Sequence, residues 1–185
     1  MNKNMIINGI NEESFILYSE LLDYGFEDIV FIDSDMEKVK EFNDKLSDAI
    51  AYFGNSGSPE FLEFVGINRV NSETIFVAMT NKDSVNLISC EIAKLKYNLS
   101  NIVSVVNSKE NLQLFNAYGI TELLFQGRSV LELIVNSSGL TLPVSLLDIR
   151  SKGTSLWSIK IPKDSGAIGM DLSKINLPFR AIIFG

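Results

Sequence analysis

Gly9, Asn11 and Ser14, in the segment NMIINGINEESFILYSELLDYG, are the residues whose types and spacing come nearest to a phosphate-holding turn. They stand at the first, third and sixth places of the Gly-x-Gly-x-x-Gly pattern. In that pattern the first glycine permits a tight bend, the second lets backbone approach a pyrophosphate, and the third lets helix and strand pack closely. Here the first glycine is kept, the second place holds an asparagine that tolerates left-handed φ, and the third holds a small hydroxyl. Asp33 follows 19 residues beyond Ser14, where an acidic side chain would accept a hydrogen bond from a ribose 2′-hydroxyl. No arginine follows Asp33 to receive a 2′-phosphate, so a cofactor in this turn would be of the NAD, ATP or AMP kind rather than NADP.

Glu12 and Glu13 act against such a site. A carboxylate ~5 Å from a pyrophosphate repels it by roughly 3 kcal/mol per charge pair at an effective dielectric of about 20. Two other readings stand beside the nucleotide one. Acidic residues in a first helical turn complement the helix dipole. Alternatively Glu12, Glu13, Asp33 and Asp35 together hold a cation such as Ca²⁺ or Mg²⁺, which favour oxygen ligands.

Other chemistry is largely excluded. The chain has no histidine, which removes Ser-His-Asp and Cys-His catalysis, the usual zinc sites and the commonest general base near neutral pH. Cys90 is the only cysteine, so there is no intrachain disulfide and no thiolate metal cluster; it lies in a helical pattern, as a buried structural thiol does. Sixteen basic against 23 acidic side chains give a formal charge of −7, a poor match for nucleic acid, since no basic surplus can displace counterions.

The elements that must position these residues follow from periodicity. Short β-branched runs, NMIIN, IVFID (29–33), AIAYFG (49–54), TIFVAMT (74–80), NIVSVVN (101–107) and TELLF (121–125), alternate with helical patterns over 12–24, 36–45, 58–66, 83–96 and 109–118. Ser58 and Pro59 are a helix N-cap and first helical residue. The first helix is expected to bury Phe15, Tyr18, Leu21 and Leu22, and the fourth Val85, Ile88, Ile92 and Leu95. Strands apolar on both faces belong in a parallel sheet between helix layers. The fold class is therefore α/β, a Rossmann-type doubly wound parallel sheet with a small α+β C-terminal lobe. A helix over 128–137 leads into the linker NSSGLTLP (136–143). Beyond it PVSLLDIRS, SLWSIKIP and FRAIIFG look like strands, with a short helix near 171–175. The expected domains are 1–138 and 139–185. At 185 residues, 46% hydrophobic and 21% charged, with no apolar run near the ~18 residues a bilayer demands, the chain is expected to be soluble and cytoplasmic.

Taken in order, MIINGINEESFILYSELLDYG, IVFIDSDMEKV, YFGNSGSPEFLEFVGI, IFVAMTNKDSVNLISCEIAK and LFNAYGITELLF resemble the RCK (TrkA-N, KTN) family, cytoplasmic domains that regulate potassium channels and Trk/Ktr-type potassium transporters. The tail LWSIKIPKDSGAIGMDLSKINLP looks like that family's C-lobe (TrkA-C), either short or truncated. The resemblance implies a homodimer formed through the later helices, assembling into a ring under a membrane potassium channel or transporter subunit. It implies NAD(H), ATP, ADP or AMP bound at the carboxyl ends of the strands. Carried over by position, Gly9, Asn11 and Ser14 form the phosphate turn and Asp33 meets the ribose. Asn55 stands where the family usually has an aspartate near the adenine, and Ala78 and Thr80 line the same cleft. The positions that bind Ca²⁺ in one channel branch fall on Thr80, Val105 and Asn107, which lack the carboxylates, so no metal is assigned.

Three functions compete on these residues. The first is a regulatory module that senses a nucleotide or cation and transmits a conformational change. The second is an assembly scaffold with a degenerate site. The third, a small NAD-dependent oxidoreductase, lacks a histidine, a Tyr-x-x-x-Lys pair and a substrate domain. An apolar stretch, Leu123, Leu124, Val130, Leu131, Ile134 and Val135, suits a homodimer interface.

Overall fold

The computed structural model describes residues 3–69, 74–125, 144–149 and 154–158, with isolated positions between 161 and 182. Strands and helices alternate as β1 (Lys3–Asn8), α1 (Glu13–Asp23), β2 (Phe26–Asp33), α2 (Met36–Lys45), β3 (Ile50–Phe53), α3 (Pro59–Phe64), β4 (Ile75–Ala78), α4 (Asp83–Leu95), β5 (Asn101–Val106), α5 (Leu112–Ala117) and β6 (Glu122–Phe125). β7 (Val144–Ile149) and β8 (Thr154–Ser158) follow. The first six strands form one parallel sheet in the order 3-2-1-4-5-6, and the last two form an antiparallel pair. That order is the Rossmann doubly wound sheet.

Alternate side chains of each central strand serve opposite layers. Met5, Ile7, Ile29 and Phe31 join Tyr18 of α1 and Val39 and Phe42 of α2. Ile6, Ile32, Phe76, Ile102 and Val106 join Leu62 of α3, Cys90 and Ala93 of α4 and Phe115 of α5. Phe31 and Phe42 are fully buried with ring centroids 4.5 Å apart, and each such side chain contributes about 1.5–3 kcal/mol through burial. The chain winds to one side from β1 to β3, then crosses to β4 and winds to the other. A crevice therefore opens between the carboxyl ends of β1 and β4.

Some helix faces differ from the periodicity reading. In α1, Tyr18 is buried but Leu22 is 43% exposed. In α4 the buried residues are Asn86, Ser89, Cys90 and Ala93, whereas Ile88 and Leu95 are 48% and 71% exposed. The cause is steric and polar: a helix lying close on a sheet needs small side chains beneath it, and Asn86 is drawn inward by loop carbonyls. The helix expected over 109–118 begins as a 3-10 turn, Lys109–Asn111, before α5. Its first residues are held by an aspartate on α4, described below. β2 starts at Phe26, earlier than expected, because it continues pairing with β1 at Lys3 and Asn4. Ser58 caps α3, its hydroxyl accepting from the Phe61 N–H at 3.3 Å, with Pro59 in the first turn.

β3 is an outer edge of the sheet. The Gly54 N–H donates to the Asp33 carbonyl on β2, so by alternation Ala51 and Phe53 turn their backbone groups outward. Asn43 of α2 meets one of them. Its Nδ2 donates to the Ala51 carbonyl and its Oδ1 accepts from the Ala51 N–H, both at 3.0 Å.

The chain separates into two compact units, Met1–Gly127 and Arg128–Gly185. The expected boundary at 138, the 128–137 helix, the 136–143 linker and residues 130–135 of the apolar stretch lie outside the described residues, as do the 171–175 helix beyond Asp171 and the last strand apart from Ile182. Leu124, within that stretch, is 49% exposed on β6. Among the described residues no helix is long and apolar enough to cross a membrane.

Candidate functional site

The crevice at the strand ends is a cavity of about 750 Å³ lined by polar and apolar groups, all from the first unit. Gly9, Asn11, Asp33, Asn55 and Thr80 line it together, though they stand at or just beyond the ends of four different strands. Ser14 and Ala78 do not: both are fully buried, Ser14 behind the turn and Ala78 inside the core. The Ala78 side chain, at the last position of β4, packs with Cys90 and Ala93 of α4.

The bend after β1 is built on Gly9, at φ +111°. A Cβ there would lie 2.8 Å from the Met79 carbonyl carbon and the Thr80 nitrogen. Both conformation and crowding demand glycine, because the chain leaving β4 crosses directly over it. The Met79 N–H donates to the Asn8 carbonyl at 2.7 Å and ties the two exits together.

Four backbone donors of this turn are already engaged. The Gly9 N–H donates to the Ile32 carbonyl at 2.8 Å. The Ile10 N–H donates to Asp33 Oδ2 at 2.7 Å. The Asn11 N–H donates to Ser14 Oγ at 3.0 Å, and the Ser14 N–H donates back to Asn11 Oδ1 at 3.1 Å. This reciprocal pair has the form of a capping box, with Asn11 in the N-cap role and Ser14 three residues on. Glu12 and Glu13 are exposed, and Glu13 lines the cavity.

Asp33, 8% exposed, braces the turn from β2. Besides Ile10 it holds the Asp35 N–H through Oδ1 at 2.9 Å. Lys38 of α2 donates to the Ile10 carbonyl at 3.0 Å and lies 4.0 Å from Asp33 Oδ2. Asp35 caps α2, accepting from the Glu37 N–H at 2.9 Å. Among the described residues no group of three or more carboxylates could hold a metal ion. The cation reading of Glu12, Glu13, Asp33 and Asp35 thus loses its geometry, since two of those carboxylates are occupied by backbone amides. Asn55 Oδ1 accepts from the Gly57 N–H at 2.9 Å, which closes its own turn at the cleft's rim.

The opposite wall is a polar lattice that periodicity did not reveal. Asn86, fully buried on α4, donates through Nδ2 to the carbonyls of Thr80 (2.9 Å) and Val105 (3.0 Å). Its Oδ1 accepts from the Thr80 N–H and hydroxyl at 2.9 and 2.6 Å. Asn107 Nδ2 reaches the Thr80 carbonyl at 3.1 Å. Thr80, Val105 and Asn107 therefore do converge: Thr80 and Val105 share the Asn86 amide, and Asn107 bonds Thr80. Asp83 accepts from the N–H groups of Asn107 and Ser108 and from the side-chain amides of Asn107 and Asn111, at 2.7–3.0 Å. Partial burial alone would raise the Asp83 pKa, yet these donors outweigh it and lower it. Asn8 Nδ2 donates to Ser89 Oγ at 3.1 Å, and Ser89 to the Asn86 carbonyl, so the lattice reaches β1. The one signal for these residues was an amide or hydroxyl ending each of three apolar strands: Asn8, Thr80 and Asn107. Cys90, buried in the same helix, has its thiol pushed up to about 12 by burial.

A second cavity of about 610 Å³ lies at the amino ends of β5 and β6. Its lysine, Lys94, donates to the Tyr118 and Gly119 carbonyls at 3.1 and 2.6 Å and so closes the end of α5.

With this geometry in place, the TrkA-N domain matches residues 5–126. A Trk system potassium uptake protein TrkA from Mycobacterium tuberculosis (strain CDC 1551 / Oshkosh) is 29% identical over 105 residues, 56% of this chain and 48% of that protein. The chain thus spans about half the length of that relative. Among solved structures, the TrkA-N domain of inner membrane protein ybaL from Escherichia coli superposes with a TM-score of 0.61 at 13% identity, covering 74% of this chain and 97% of that one. The GsuK channel bound to NAD superposes with a TM-score of 0.59 at 13% identity, covering 82% and 26%. At such identities these two likenesses are likenesses of fold.

Proposed function

Because the chain belongs to the TrkA-N domain family, we propose that it is a cytoplasmic regulatory module of a potassium channel or uptake system, which senses an adenine-containing ligand in the β1/β4 cleft. Binding shifts a homodimer, or a ring built from it, between shapes, and the membrane partner follows that shift. The observation that carries the reading is the convergence of Gly9, Asn11, Asp33, Asn55 and Thr80 on one crevice at the point where the strand order reverses. That is where open α/β sheets take their ligands. The likeness to a TrkA potassium uptake protein and to a channel bound to NAD supports both the partner class and the ligand class. The likeness to a potassium uptake protein supports a regulatory role over a catalytic one.

A thermal-shift panel of adenosine, AMP, ADP, ATP, NAD and NADH, followed by calorimetry on each hit, tests the reading. A ligand at 100 times its dissociation constant stabilises the native state by ~2.7 kcal/mol, about 5–10 °C for a chain of this size. A second reading, an assembly scaffold that has lost its ligand, is favoured by the engaged turn amides. It is the conclusion if no member of the panel moves the melt.

A further inference from the structure

The turn after β1 carries a consequence for which adenine ligand the cleft takes. A pyrophosphate lodged at a helix start is held by amides that point outward with no other partner. Here the N–H groups of Gly9, Ile10, Asn11 and Ser14 each have an acceptor within the chain. The next two amides, those of Glu12 and Glu13, stand beside their own carboxylates, and Glu13 faces the cavity. Of the two lysines in the lining, Lys38 is bonded to the Ile10 carbonyl and lies beside Asp33. Against Lys38 and Lys82 stand Glu13, Asp33 and Asp35, so the lining carries one more negative charge than positive. The rest of the wall is suited to an uncharged ligand. Met79 and Val105 offer apolar surface, and Asn55 adds a side-chain amide.

We propose that the cleft is a nucleoside site: it takes an uncharged adenine ribonucleoside and discriminates against ligands that place a pyrophosphate on the β1–α1 turn. The proposal rests on the adenine-ligand reading above and narrows it. The Asn11–Ser14 pair and Glu13 are its specificity determinants, the pair by withholding donors and the carboxylate by repulsion.

Calorimetry on the full chain with adenosine, AMP, ADP and NAD at one ionic strength tests it. Adenosine is expected to bind at least tenfold more tightly than ADP or NAD, with AMP between. In the double variant Glu13→Gln, Ser14→Ala, which frees the Asn11 N–H and removes the charge, the ADP-to-adenosine affinity ratio rises at least tenfold. If ADP or NAD binds the native chain as tightly as adenosine, the nucleoside proposal is overturned while the adenine-sensing function stands. If none of the four binds, both fall. Since the comparison within the native chain is sufficient alone, a poorly folding variant does not shield the proposal.

Discussion

Replacing Asp33 by alanine is expected to destabilise the protein in the absence of any ligand, which separates a bracing role from a binding one. The carboxylate accepts from Ile10 N–H at 2.7 Å and from Asp35 N–H at 2.9 Å, and Ile10 is 4% exposed. A hydrogen bond to a charged acceptor contributes about 1.5–3 kcal/mol, and a buried donor left without a partner costs about 1–3 kcal/mol. Ile10 is buried, so the loss of its amide's partner is taken near 2 kcal/mol; the Asp35 amide lies in an exposed loop, so its loss is taken near 1. Lys38 adds little, being 4.0 Å away with its side chain 46% exposed. The sum is about 3 kcal/mol, or roughly 6–12 °C in Tm at this chain length. Urea unfolding of ligand-free Asp33→Ala, followed by far-ultraviolet circular dichroism, measures it directly. Asp33→Asn should fall between, because its amide can accept one of the two bonds but presents N–H groups to the other. A loss below about 1 kcal/mol for the alanine variant would show that the turn holds itself and that the carboxylate is free for a ligand.

Three further outcomes follow from the same geometry. Gly9→Ala should cost about 2–4 kcal/mol, combining a φ that L-residues avoid with a methyl group pressed on the Met79–Thr80 backbone; a urea midpoint equal to the native one refutes it. Asp83 has a folded pKa below its ordinary value of 3.8, so its contribution is complete above that value and is lost as pH falls through the folded one. Urea midpoints taken between pH 5 and 3 should therefore drop more for the native chain than for Asp83→Asn, and parallel curves would contradict the linkage. Cys90, its thiol pushed up to about 12, should resist iodoacetamide at pH 8 in the native state and react fully in urea.

The strand-to-helix rhythm and the parallel sheet were legible in the sequence because a doubly buried strand must be apolar on both faces and bounded by turns. Ser58 before Pro59 marked a helix start for an equally local reason. The inner face of α4 was legible only at Cys90, whose helical setting indicated a buried thiol. Periodicity favoured Val85, Ile88, Ile92 and Leu95, but close packing selected Ser89, Cys90 and Ala93, and the polarity of Asn86 hid its burial. At the cleft, the order of motifs indicated which loops meet. It could not indicate that Asn11 and Ser14 bond each other, since a two-residue reciprocal cap looks the same on paper as a worn phosphate turn. Ala78 was misplaced by one step of strand alternation, which is enough to send a side chain to the opposite layer.

Asn43 gives the sheet a direction for growth. By meeting both outward groups of Ala51 from α2, one amide impersonates the neighbouring strand that β3 lacks among the described residues. Of the two outward residues of β3, only Phe53 then remains to template another chain, too little for cross-strand polymerisation. Crowded copies of this protein are thereby steered away from open-ended strand pairing at that border.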